Sequence, residues 1–232
     1  MTIRLREPVL RIVAHDVLPG PFDGPTLAEH SALNEQWALG RVYHEPATGT
    51  WDASLGFYVR DEIPEARIPL ALLHLTDAVG TIRQGEAPLF AFDKPVAPGE
   101  VMPAVARLLD QAGLPHVSEF GGEVLRVVTK APSGASFAVE LFVANNAHLL
   151  ARVCPPGPWN VEEDERTLRA LNRVNRLLDL GTAAVWFGQR VAYWFLACPW
   201  NWTALDAEAV QWLVASSERL MDLIQLELAT EA

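Results

Sequence analysis

Lysine is nearly missing from this chain. Of its 18 basic residues only Lys94 and Lys130 are lysines, and 29 acidic residues bring the formal net charge to −11. That balance excludes the concentrated basic surface that a nucleic-acid binder needs to release counterions. An acidic chain instead attracts basic proteins or basic flexible segments. Long apolar runs are missing as well. The longest are broken by Arg, Glu or Pro within about ten residues, short of the ~20 that a membrane helix needs. Behind Arg4, Arg6 and Arg11, the residues Glu7, Pro8 and Asp16 interrupt any signal-peptide core. The expectation is a cytoplasmic protein with no membrane partner. Cysteine is scarce: Cys154 and Cys198, both in apolar strand-like contexts, read as buried reduced thiols. No G-x-S-x-G, Walker A loop or dinucleotide fingerprint occurs. The histidines His15, His30, His44, His74, His116 and His148 show no metal-ligand spacing. Sequence alone therefore gives no catalytic residue, no cofactor and no metal, and the chain is expected not to be an enzyme.

What is present is a globular composition, 50% hydrophobic and 20% charged, enough to bury a core in one large domain or two small ones. It also carries signs of an internal repeat. PGPF at Pro19–Phe22 and PGPW at Pro156–Trp159 lie 137 residues apart, and Leu33-Asn34 and Leu171-Asn172 lie 138 apart. A near-constant offset is better evidence for duplication than either phrase alone.

Leu5 to Val17 alternates as a strand. Thr26, with Glu29 three residues on, has capping-box spacing and predicts a helix from Leu27 to about Trp37. Leu39 to His44 and Thr50 to Arg60 read as a hairpin around Pro46-Ala47-Thr48-Gly49, and Ile68 to Val79 as a helix. The Pro- and Gly-rich stretch 86–99 is the expected boundary between a partial repeat at 1–85 and a full domain at 100–232. In that domain a helix spans Glu100 to Ala112. Strands follow at Glu123 to Lys130, Ser136 to Ala144 and Ala147 to Cys154. A helix from about Val161 to Asp179 precedes two apolar strands, Thr182 to Phe187 and Val191 to Cys198. A last helix runs from near Thr203, a possible N-cap, to about Leu228.

The resulting α-β-β-β-α-β-β-α order, with LNRVN at Leu171 to Asn175 opening the second hairpin, resembles the YbjN-like family. That family shares the fold of type III secretion chaperones. The resemblance covers roughly Glu100 to Glu227, with a half-length β-α-β-β-α copy in Leu5 to Val79. It implies an α+β fold with an antiparallel sheet. It also implies protein binding in a chaperone-like or regulatory role linked to stress responses, often as a dimer and without established catalysis. Secretion chaperones wrap a flexible segment of their client around the dimer. The N-terminal half-copy departs from that pattern, and bears on both the dimer mode and the client groove.

Several residues stand out as candidate sites. Asn172 and Asn175 share one helical face, where buried amides satisfy strand ends or loop carbonyls. Arg166, Arg169, Arg173 and Arg176 form one stripe. Glu162 and Glu165 stand four residues before the first two, the favourable orientation for surface pairs. Arg173 and Arg176 have no such acid, which makes them candidates for an acidic partner. Trp200 and Trp202 sit in a loop and fit an interface anchor. The strand Val191 to Cys198 is apolar on both faces, and the last helix has a wide apolar arc. Together they predict a homodimer with Trp212 and Leu213 in its interface. The expected function is binding of a client protein. The rivals are an enzyme whose site forms only in space and a structural subunit of a larger complex.

Overall fold

A largely apolar run over Val9–Leu18 and alternating apolar residues over Thr50–Tyr58 build the two central strands of a four-stranded sheet. The computed structural model describes the chain apart from residues 7–8, 38–39, 60–66, 89–97, 145–147, 155–163, 187–190, 199–204 and 231–232. The first sheet contains β1 (Thr2–Arg6), β2 (Val9–Leu18), β3 (Gly40–Glu45) and β4 (Thr50–Tyr58), in the antiparallel order β1-β2-β4-β3. Helices α1 (Gly24–Gln36) and α2 (Arg67–Ile82) complete this first unit. A second, six-stranded sheet has the order β5-β6-β7-β8-β10-β9. Its strands are β5 (His116–Glu119), β6 (Val124–Lys130), β7 (Ser136–Ala144), β8 (His148–Cys154), β9 (Thr182–Trp186) and β10 (Val191–Cys198). With it come α3 (Pro98–Gln111), α4 (Glu165–Leu177) and α5 (Ala207–Thr230). The protein is thus α+β, with antiparallel sheets and five helices among the described residues.

Two elements differ from the sequence reading. The stretch from Leu5 to Val17 is not one strand, because Thr2–Arg6 pairs antiparallel with Val9–Val13. A further strand, β5, precedes β6. Its four residues are all at least partly exposed, so no apolar alternation marks them.

With β1 included, strand–strand–helix–strand–strand–helix occurs twice, as β1-β2-α1-β3-β4-α2 and as β7-β8-α4-β9-β10-α5. The strand orders correspond, β1-β2-β4-β3 and β7-β8-β10-β9. The registers correspond too: Val42 pairs with Ala53 as Ala183 pairs with Trp194, and four residues separate β3 from β4 as four separate β9 from β10. The second unit additionally carries α3, β5 and β6.

Burial ties the units together. One core cluster centres on Ile12, Trp51, Leu55, Leu75 and Ile82, and takes in Leu150 and Leu168 from the second unit. The other centres on Val105, Leu109, Val139, Leu141 and Ile224, and takes in Val9 from the first. Each unit donates its helix to the other's edge: α1 packs against β9, and α4 against β3.

Candidate functional site at the seam between the units

Both helices at the seam begin the same way. Asp23 Oδ1 accepts from Thr26 N at 3.0 Å, and Asp164 Oδ1 accepts from Thr167 N at 2.7 Å. These are N-cap bonds that satisfy otherwise orphaned helix donors. In each case the backbone hydrogen bond holds the carboxyl below its ordinary pKa. The cap of α1 is therefore Asp23 and not Thr26, which supplies the capped N–H. At α5 the cap is Asp206, whose Oδ1 accepts from Ala209 N at 2.8 Å; Thr203, expected there, lies outside the described residues.

Each helix then clips an edge strand with one asparagine. Asn34 donates from Nδ2 to Val42 O at 2.8 Å and accepts from Val42 N at 2.6 Å. Asn175 does the same to Ala183, donating at 2.8 Å and accepting at 2.7 Å. Edge strands present unpaired backbone groups that must be covered, and a side-chain amide eight residues upstream covers these two. The units are therefore related by 141 residues here, not by 138. Asn34 corresponds to Asn175, so pairing it with Asn172 is one helical turn off. At the true offset the pattern D-x-x-T-L, six residues, N, four residues, L-G occurs from Asp23 to Gly40 and from Asp164 to Gly181. That signal was available in the sequence and was hidden by four extra residues between PGPW and Asp164.

Asn172 has a different task. Its Oδ1 accepts from His44 N at 2.8 Å, so α4 clips the first unit's edge strand as well. Arg41, fully buried, reaches the C-terminal end of α4: Nε donates to Asn175 O at 2.8 Å, Nη1 to Gly181 O at 2.7 Å, and Nη2 to Leu178 O. A cation at the negative end of a helix is favourable. Burial, then the nearby Arg11 charge, still lowers its pKa, opposed by Tyr43 and Asp179. Arg11 Nη1 adds a bond to Arg176 O at 3.1 Å. Gly56 lets β4 approach this turn, since a Cβ there would stand 2.2 Å from Asp179 O.

Between α1 and α4 lies a cavity of about 10 Å³, lined among others by His30, Ser31, Trp51, Asn172 and Asn175. This is room for one water, far below the few hundred Å³ of a metabolite pocket. His30 Nδ1 and Ser31 Oγ have no hydrogen-bond partner among the described residues. Burial pushes the His30 pKa down to about 4, and its ring stands edge-on to Trp51 at 4.0 Å between centroids. No group of three or more His, Cys, Asp or Glu that could hold a metal ion occurs among the described residues. The seam is built for cohesion.

The predicted site residues that are described do not gather in one place. Arg173, with no acid four residues before it, pairs with Glu227 at 2.6 Å, because α5 lies alongside α4. Arg176 stands 3.8 Å from Glu45 across the seam. Arg169 pairs with Glu165 at 2.6 Å, as helical spacing predicts, and lies over the Phe22 ring. Glu162 lies outside the described residues. Leu213 is fully buried in its own chain's core. Trp212 is half-buried and packs on Tyr58 of the first unit, ring centroids 4.8 Å apart. Trp200 and Trp202 lie outside the described residues, as do the side chains of Cys154, Cys198 and the rest of β10.

No protein-family model, curated protein or solved structure matches the chain. Its class rests on its own geometry, an α+β protein in which two like units share one seam. Among the described residues no helix is long and apolar enough to cross a membrane.

Proposed function

We propose that the chain is a cytoplasmic protein-binding protein, chaperone-like or regulatory, whose two like units were joined by duplication. One observation carries this reading. On β5, the following turn and β6, Val117, Phe120 and Val128 are 58%, 75% and 66% exposed. Val117 and Val128 share a sheet face by register, and Phe120 holds a left-handed φ of 50° that a non-glycine side chain rarely adopts. Exposed apolar side chains grouped on one face mark interaction surfaces. They sit on the part of the second sheet for which the first unit has no counterpart. The acidic chain favours a client segment that is apolar and basic.

Of the surfaces that suggested a homodimer, the last helix packs Leu213 into the chain's own core and Trp212 on Tyr58, and on that ground the protein is expected to run as a monomer. Light scattering at micromolar concentration should return a mass near 25.5 kDa; twice that mass would restore the dimer. For binding, wild type and the Phe120→Glu/Val128→Glu variant are compared in affinity capture from native lysate. Loss of the captured clients, with unchanged thermal unfolding, supports the reading. An identical client set with both proteins removes this face, and no client at all removes the function.

A further inference from the structure

Three residues with no sequence relation meet on adjacent strands of the first sheet. Thr2 on β1, His15 on β2 and Asp52 on β4 stand side by side because the sheet order is β1-β2-β4. Thr2 Oγ1 lies 2.7 Å from His15 Nε2, and His15 Nδ1 lies 2.7 Å from Asp52 Oδ2. The Asp52 side chain is only 2% exposed, whereas that of His15 is 43% exposed. The second carboxylate oxygen, Oδ1, accepts from Asp16 N at 3.1 Å and from Thr50 Oγ1 at 3.2 Å. A hydroxyl, an imidazole and a buried, independently anchored carboxylate in series are the geometry of an activated nucleophile.

We propose that Thr2, His15 and Asp52 form an acyl-transfer site acting on an extended ester or amide substrate, an activity beyond the binding role above. Two further observations support it. Asp16 has a left-handed φ of 53° in a β-bulge between Ala14 and Leu18, and its N–H is one of the two donors that hold Asp52 Oδ1. Strained backbone of this kind clusters at functional sites. The fold itself does not ask for the triad. By strand register, the second unit places Glu140, Cys154 and Tyr193 at the corresponding positions. β1 is the edge strand of its sheet, so a substrate laid antiparallel along it brings a carbonyl past Thr2.

The step balances with the groups present and water. As Thr2 Oγ1 bonds to the acyl carbon, its proton passes to His15 Nε2, while Asp52 holds the Nδ1–H and faces the imidazolium. Collapse breaks the bond to the leaving group, which departs with the Nε2 proton. Water then attacks the acyl-threonine, giving its proton to Nε2, and the returning proton restores the Thr2 hydroxyl. Thr2 and His15 are the catalytic residues, and Asp52 is a positioning residue.

The test uses the full chain with 4-nitrophenyl acetate and, separately, a fluorophosphonate probe, the adduct being located by peptide mass mapping. The expected result is a single adduct on Thr2, with the esterase rate falling roughly 100-fold or more in Thr2→Val and in His15→Gln. Asp52→Asn should lower the rate and change its pH profile while kinetics with Thr2→Ser stay near wild type. Should Asp52→Asn not fold, the exposed His15→Gln carries the test alone. No adduct on Thr2, or equal rates for wild type, Thr2→Val and His15→Gln, would overturn the proposal.

Discussion

The two units share a register but not a chemistry. On the face turned to the seam, the first sheet buries Arg11, Arg41, Asp52 and Ser54. The corresponding register positions of the second sheet are Leu150, Thr182, Tyr193 and Phe195. The reason lies in what each face receives. The first receives the end of α4, whose carbonyls at Asn175, Leu178 and Gly181 need donors, and Arg41 supplies them. At the end of α1, Trp37 O is instead satisfied locally by Gly40 N at 3.2 Å. A two-fold frame can thus be assembled from one connectivity while each copy solves its helix ends separately.

The sharpest test of that difference is Arg41→Met set beside Thr182→Val. Removing the guanidinium leaves three buried carbonyls without donors, a loss expected to be about 3–5 kcal/mol in urea unfolding. Among the described residues Thr182 Oγ1 makes one long bond, 3.4 Å to Asn175 Oδ1, so Thr182→Val should cost about 1 kcal/mol or less. Equal losses would mean that the seam does not distinguish the copies.

The asparagine clips test the opposite side of the comparison, where the units are alike. Asn34→Ala and Asn175→Ala each strand one N–H and one C=O on an edge strand and should each cost roughly 2–4 kcal/mol. Losses differing by more than about 1.5 kcal/mol would remove the equivalence that the 141-residue offset rests on.

How far the sequence carried depends on the physical range of each signal. The seam-facing helix and the hairpin after it are local, so α1, β3, β4, α4 and β9 were legible. Asn172 and Asn175 were correctly read as strand-satisfying amides. Matching phrases put the offset at 137 and 138, whereas the relation the two units share is an amide eight residues before an edge strand. Helical spacing gives Arg173 no acid on its own helix; Glu227 arrives from another. The Thr2–His15–Asp52 series was illegible for the same reason, being assembled by strand order and not by spacing.

The two glycines after the seam helices are a smaller contrast. Gly181 takes a left-handed φ of 80°, whereas Gly40 is required by proximity: a Cβ there would stand 2.3 Å from the Trp37 ring. Gly40→Ala should cost about 2 kcal/mol by overpacking, and Trp37→Leu, which installs the residue found at position 178, should recover most of that loss. For Gly181→Ala no companion substitution should help, since its strain lies in the backbone. Rescue of both, or of neither, by changing the preceding side chain would contradict this account.

His30 supplies the smallest effect at neutral pH and the one most specific to the first unit, because at the 141-residue offset its counterpart is Leu171. In the unfolded chain an imidazole takes a proton below about pH 6.5; in the folded chain burial delays this to about 4. The folded state therefore binds fewer protons over that interval, and stability falls as pH drops from about 6.5 towards 4, then levels off. At pH 5 the loss should be roughly 2 kcal/mol, and on the order of 3 kcal/mol at its full extent. The caps Asp23 and Asp164 do not confuse the window, since their pKa values lie below the ordinary 3.8 and their contribution is lost only at lower pH. His30→Leu makes the first unit resemble the second at this position and leaves His44 in place beside the same Trp51 ring. Its unfolding free energy, measured from pH 7 to pH 4.5, should run flatter than wild type by that amount. If the two proteins lose stability in parallel, the acid sensitivity belongs to other groups, and the difference between His30 and Leu171 is one of packing alone.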